Sequence, residues 1–220
     1  VSAPGDSGGA RPGLPREFLL CCRSLGVRLT PHVLLVWTGS QCLEWRVAAP
    51  GPAARRYRLH RRFRISSSRI GLGQTAGSHR TPMGLHQIAA KVGAGWPVGT
   101  AFEARRPVGF SWAGQWPAPI AHRILWLRGL EPGFNQGGDV DSFRRFIYLH
   151  GLGDEPTLGR PASRGCIHLA AADLIPLFDR VPLGSLVWIS ALTRPPSHER
   201  QPPAWPGQLA GLRGTGLTLA

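Results

Sequence analysis

The stretch Tyr148-Leu149-His150-Gly151, with Leu158-Gly159-Arg160-Pro161-Ala162-Ser163-Arg164-Gly165-Cys166-Ile167-His168-Leu169 after it, is the most informative part of this 220-residue chain. Phe146–His150 reads as a buried strand that delivers His150 to its end. Sixteen residues later, Cys166 follows a Ser-Arg-Gly turn and precedes a short apolar segment. A thiol acts as a nucleophile when a base can take its proton and backbone N–H groups can hold the oxyanion formed on attack. Gly165 lets the backbone turn closely enough for its own N–H and that of Cys166 to converge on one point. The charge of Arg164 would lower the thiol pKa if it faced inward. His150, Cys166 and His168 also carry atoms that zinc takes. No fourth ligand stands at a recognisable spacing, so no metal is expected.

Outward from this block the chain reads as strands. His32–Thr38 and Leu43–Ala48 are β-branched and aromatic segments around a Gly-Ser turn, the pattern of a hairpin. Arg56–Ile65 alternates with period two: Arg56, Arg58, His60, Arg62 and Arg64 on one face, Tyr57, Leu59, Phe63 and Ile65 on the other, with Arg61 the exception. That predicts a half-buried antiparallel strand with its charges in water. Residues 89–123 are rich in Gly and Pro and carry Trp96, Trp112 and Trp116, which either line a cleft or cover core. Ile124–Leu130 and Leu186–Ser190 read as further buried strands. Asp173 is placed to cap a helix running to Arg180, with Leu174, Leu177, Phe178 and Val181 on one face and Pro176 in the first turn. The fold class expected is mainly β, with one or two short helices.

Composition agrees and limits the partners. With 29 Gly and 21 Pro, a helical bundle is excluded, because these are the poorest helix formers. The net charge of +14 is lopsided: residues 1–130 hold 17 Arg, one Lys and four acids, whereas residues 131–220 hold eight Arg and eight acids. Such a charge concerns solubility and polyanion contact, not fold. No nucleic-acid motif accompanies it, and the arginines are spread along strands, so no specific nucleic acid is expected. Cys21, Cys22, Cys42 and Cys166 have no zinc spacing and are too few for a disulfide scaffold. The longest apolar runs, Phe18–Cys22 and Val33–Trp37, are far shorter than a membrane helix needs, so no transmembrane segment is expected. Residues 1–31 read as a flexible or loosely packed lead-in, 32–192 as the folded domain, and 193–220 as a Pro/Gly-rich tail.

The block His150-Gly151, a spacer, then Ser163-Arg164-Gly165-Cys166-Ile167-His168 resembles the signature of the L,D-transpeptidase catalytic domain, or YkuD, family. Ile65-Ser66-Ser67 with Thr81-Pro82-Met83-Gly84, Lys91-Val92-Gly93 through Gly99-Thr100, Ile124–Leu127, Val140-Asp141-Ser142 and Leu177–Pro182 also look like members of that family. The resemblance covers about residues 32–190. Two positions depart from the family's pattern: Arg164 stands where it usually has His, and His168 where it usually has Arg or Asn.

The resemblance implies a YkuD-like β-sandwich of mixed sheets. It implies Cys166 as nucleophile, His150 as its base, the Gly151 carbonyl as the group orienting the imidazole, and the N–H groups of Gly165 and Cys166 as oxyanion donors. Ser163, Arg164 and His168 would contact substrate. That substrate would be a peptidoglycan stem peptide, which loses a terminal D-amino acid to give an acyl-enzyme; an amine acceptor or water then resolves it, with no cofactor. The location implied is the periplasm or cell envelope, on the assumption of a leader removed before Val1. There the Arg56–Arg64 strand could meet an anionic envelope surface. The alternative is a catalytically weakened peptidoglycan-binding domain of the same fold. A sortase orders His before Cys with a longer gap, and papain-like peptidases place Cys before His; neither pattern is matched.

Overall fold

A computed structural model describes residues 13–51, 56–113, 118–153 and 155–193. Helix α1 (Arg16–Ser24) precedes strands β1 (His32–Trp37), β2 (Cys42–Ala48), β3 (Tyr57–Ser66), β4 (Gly84–Val92), β5 (Thr100–Glu103), β6 (Arg106–Phe110), β7 (Ala121–Gly129), β8 (Tyr148–Gly151) and β9 (Ile167–Leu169). Helix α2 (Ala171–Arg180) and strand β10 (Leu186–Ser190) complete the described elements. The fold is mainly β, and its sheet is mixed: β1–β10 and β8–β9 pair parallel, and the other pairings are antiparallel.

The strand order β4-β10-β1-β2-β3-β9-β8-β7 returns to its start through a β4–β7 pairing, and the β5–β6 hairpin hangs from β7. The two layers of the expected sandwich are therefore one continuous hydrogen-bonded ring, in which each ring strand has a neighbour on both sides and β6 of the hairpin is left as an edge. Inside lie Leu34, Val36, Leu43, Phe63, Ile65, Leu125, Leu127, Leu149, Ile167 and Leu169, joined by Leu174, Leu177, Phe178 and Val181 from α2 and the residue after it.

Strand β1 is buried on both faces. Leu34 and Val36 enter the ring, while Val33, Leu35 and Trp37 lie outside it under Phe18 and Cys22 of α1. The expectation of a loose lead-in is thus revised for its described part: Phe18 is fully buried, because the outer face of β1 is as apolar as the inner one and needs cover. Residues 1–12 and 194–220, with Trp116, lie outside the described residues. Among the described residues no helix is long and apolar enough to cross a membrane.

Two local expectations change. In β3 the pairing skips His60: Leu59 faces Arg46 and Arg61 faces Trp45. This bulge turns the strand over, so Tyr57 lies with the α1 cluster and Phe63 and Ile65 with the ring core. Arg61, the exception in the pattern, reaches Asp173 at 3.0 Å. That interaction accounts for the second change. Helix α2 begins at Ala171 with no side-chain cap on its own chain end, and Glu155 Oε1 accepts from the Ala171 N–H at 2.6 Å. Asp173 is therefore inside the helix, and Pro176 falls in its second turn.

Candidate active site

The parallel pairing of β8 with β9 sets Leu149 beside Ile167, His150 beside His168 and Gly151 beside Leu169. Because side chains alternate across a strand, Leu149, Ile167 and Leu169 enter the core, and Tyr148, His150, Cys166 and His168 share the outer face. Apolar residues that anchor the two strands thus also aim the chemistry. The His150 and His168 rings lie 4.7 Å apart, edge to face. His150, Cys166, His168, Ser163 and Arg164 line one cleft of about 450 Å³, whose opposite wall includes Pro119, Ile120 and Leu152.

His150 is buried, and its Nδ1 lies 2.8 Å from the Gly151 carbonyl oxygen. A carbonyl only accepts, so Nδ1 is assigned the proton and Nε2 keeps its lone pair. Gly151 is constrained as well: a Cβ there would stand 2.5 Å from His122 Cδ2. His122 in turn takes the Gly99 N–H on Nδ1 and donates from Nε2 to the Leu152 carbonyl, both at 2.8 Å. It ties the Gly99 loop to Leu152 in the cleft wall, and its isolated position in the sequence carried no signal of that.

Burial pushes the His150 pKa down to about 3, helped by the neighbouring His168. Burial pushes the Cys166 thiol up to about 11, against the opposing effects of the Tyr148 backbone N–H and the Arg145 charge. The resting pair is therefore neutral thiol and neutral imidazole. The thiol donates to the Phe146 carbonyl at 3.4 Å.

The turn before Cys166 is held by Ser163. Its hydroxyl donates to the Cys166 carbonyl at 2.6 Å and accepts the Gly165 N–H at 3.1 Å. Its backbone is tied to the Ser67 carbonyl and the Arg69 N–H. Ser163 is thus a residue that shapes the turn, where the sequence suggested a substrate contact. Gly165 has φ +124°, and a Cβ there would meet the Arg80 carbonyl at 3.3 Å. Its N–H, expected to face an oxyanion, is turned inward to Ser163 Oγ.

The two departures from the family pattern differ in setting. Arg164 is exposed and lines both this cleft and a second one of about 440 Å³ beyond the turn, bounded by Ala76, His79, Asp139, Asp141 and Arg145. His168 has its Nδ1 buried without a hydrogen-bond partner, and burial pushes its pKa down to about 4. Arg145 was not foreseen. It donates to the carbonyls of Gly73, Gln74 and Arg80 at 3.2, 2.5 and 2.7 Å, strapping that loop beside the Cys166 turn. A second arginine in an Arg-rich chain gives no sequence signal of such a role.

The model of the YkuD family, the L,D-transpeptidase catalytic domain, matches residues 46–189. No curated protein matches the chain. Solved structures similar to it include a Bdellovibrio bacteriovorus protein (14% identity, 76% of this chain and 50% of that one, TM-score 0.49). An L,D-transpeptidase from Mycobacterium smegmatis is 16% identical over 73% of this chain and 59% of that one, with TM-score 0.40. The helical cell shape determining protein Pgp2 from Campylobacter jejuni is 15% identical over 76% and 49%, with TM-score 0.46. The chain thus spans about half the length of the first of these relatives and under two thirds of the others. With the family model extending from β2 to β10 across the His150 and Cys166 strands, the chain belongs to the YkuD family of L,D-transpeptidase catalytic domains.

Proposed function

We propose that the protein is a cysteine-dependent L,D-transpeptidase acting on peptidoglycan stem peptides. The observation that supports this best is the placing of His150 and Cys166 on the same face of adjacent parallel strands, in one cleft. In this reading the Cys166 sulfur attacks the carbonyl that joins an L-centre to a terminal D-amino acid, and His150 Nε2 takes the thiol proton. Because the resting pair is neutral, charge forms only during attack; the imidazolium then sits beside the developing oxyanion, which offsets its burial. The N–H groups of Cys166 and Gly165 hold that oxygen, Gly165 exchanging its bond to Ser163 Oγ for one to the oxyanion. His150 passes the proton to the departing amine, and a thioester remains on Cys166. An acceptor amine, or water, then attacks the thioester and gives its proton to His150, which returns it to the sulfur.

His168 Nδ1, without a protein partner, and the exposed Arg164 are the groups assigned to substrate. No cofactor takes part in these steps. The domain read as residues 32–192 is extended to include α1. Such a substrate places the protein in the periplasm or cell envelope. A docking role for the basic strand there rests on Arg56, Arg58 and Arg64, which are exposed, since Arg62 is paired with Glu44 at 3.0 Å.

The test is incubation with purified disaccharide-tetrapeptide, following D-alanine release and dimer formation by mass spectrometry. Cys166→Ala is expected to reduce both by about a thousandfold or more, and a carbapenem is expected to add one adduct at Cys166. Turnover unaffected by Cys166→Ala would remove the nucleophile assignment. Binding of the muropeptide without turnover by the unmodified protein would favour the weakened wall-binding domain instead.

A further inference from the structure

On the outer face of the ring, Phe146, Tyr148 and His150 follow one another along the approach to β8 and the strand itself, with Cys166 beside them. The β5–β6 hairpin reaches over this row. Its tip places Arg105 with the guanidinium 4.8 Å from the Trp126 ring centre and 5.0 Å from that of Phe146, and Nη1 donates to Tyr148 Oη at 3.1 Å. Trp126 is itself fixed, stacked on Phe143 at 3.9 Å and donating from Nε1 to the Phe143 carbonyl at 3.0 Å. Arg105 is therefore a cation held over two aromatic rings, and no carboxylate among the described residues pairs with it.

The backbone around it is strained. The tip residues Ala104 and Arg105 have φ +45° and +69°, and Phe146 has φ +56°. A two-residue hairpin turn with both φ values positive ordinarily carries Asn-Gly, and a bulky residue in the left-handed region persists only where its surroundings hold it there. The hairpin tip and the Phe146 backbone thus meet at the Arg105 guanidinium, which lies over the Phe146 ring. Phe146 also accepts the Cys166 thiol proton through its carbonyl, so this position adjoins the nucleophile directly. His168, standing where the family usually has a cation or an amide, is held neutral and supplies no charge at the cleft.

We propose that Arg105, framed by Trp126, Phe146 and the Tyr148 hydroxyl, is an anion subsite that holds a carboxylate of the stem peptide bound at Cys166. Tyr148 Oη uses one of its five N–H groups, and the others remain for a bidentate hold on a carboxylate. Aromatic faces exclude water and strengthen that pairing. Arg105 thus supplies from the hairpin a charge that His168 does not. This inference rests on the proposed stem-peptide substrate.

The test compares wild type, Arg105→Gln and Arg105→Lys on disaccharide-tetrapeptide and on the same compound with its peptide carboxylates amidated. Arg105→Gln is expected to lower kcat/KM at least tenfold on the native compound, mainly through KM, and less than twofold on the amidated one. Arg105→Lys should recover part of the loss, since it keeps the charge without the bidentate fork. Equal losses on both compounds, or none on the native one, would overturn the subsite. The same substitutions in a Cys166→Ala background, read by calorimetric binding of the native muropeptide, separate the two proposals. Loss of affinity there supports the subsite even if the wild type proves not to turn over. Unchanged affinity overturns it.

Discussion

Ser163 shows how a single hydroxyl can decide a site. With Oγ on the Cys166 carbonyl and on the Gly165 N–H, it bridges the ends of the turn that leads into Cys166. Ser163→Ala removes both bonds and leaves buried polar groups unpaired, at a cost of about 1–3 kcal/mol. The expected result is a lower thermal midpoint and a fall in D-alanine release of at least tenfold, with Cys166 still alkylated by iodoacetamide. Unchanged turnover would show that the turn holds its shape without the hydroxyl. Cys166, His150 and Gly151 could be singled out in the sequence because the roles proposed for them, nucleophile, base and orienting carbonyl, require particular residue types at particular spacings. The duty of Ser163 was not, because a serine reads the same whether its hydroxyl faces a ligand or the turn it belongs to.

Strands β2 and β3 carry an unusual charge arrangement on their outer face. Glu44, almost wholly buried, is bonded by Arg46 at 2.8 Å and by Arg62 at 3.0 Å. Removing the acid takes both ion pairs away at once from a site that is largely out of water, and breaking a buried pair from one side costs about 3–5 kcal/mol. Glu44→Ala is therefore expected to lower the unfolding free energy by that order, measured by urea denaturation. A change below 1 kcal/mol would show the arginines to be solvated instead. The alternation of β3 was readable as a strand, and Arg56, Arg58 and Arg64 are exposed as expected, whereas Arg62 is drawn onto the buried Glu44. The bulge at His60 was not readable, because it depends on register against β2 and not on residue types within β3. The same holds for α2: its apolar face at Leu174, Leu177 and Phe178 follows from helical spacing, whereas its N-terminal partner, Glu155, comes from a distant loop.

At the scale of the molecule, buried histidines impose a pH dependence on stability. His86 and His150 are buried, and burial pushes their pKa values down to about 4 and about 3. Between those values and the unfolded pKa of about 6.5, the unfolded chain binds more protons than the folded one, so stability rises with pH. It is complete above about pH 6.5 and falls as pH drops toward 4, by up to about 1.4 kcal/mol per pH unit for each histidine. Denaturant unfolding at pH 7, 6 and 5 should show this decline, and His150→Gln should make it shallower; a flat profile from pH 7 to 5 would refute it. The +14 charge, prominent in the composition, contributes little that is specific, because several of its arginines are spent on ion pairs and carbonyls within the fold. By itself the sequence determined the mainly β class, the helix over the ring core and the Cys–His pair, since periodicity and motif spacing are local properties of a chain. Only the tertiary structure decided the closure of the ring, the parallel register that sets His150 beside His168, the inward turn of the Gly165 N–H and the placing of Arg105. Each of these depends on contacts between segments far apart in sequence, where packing and hydrogen-bond direction, not residue type, select the arrangement.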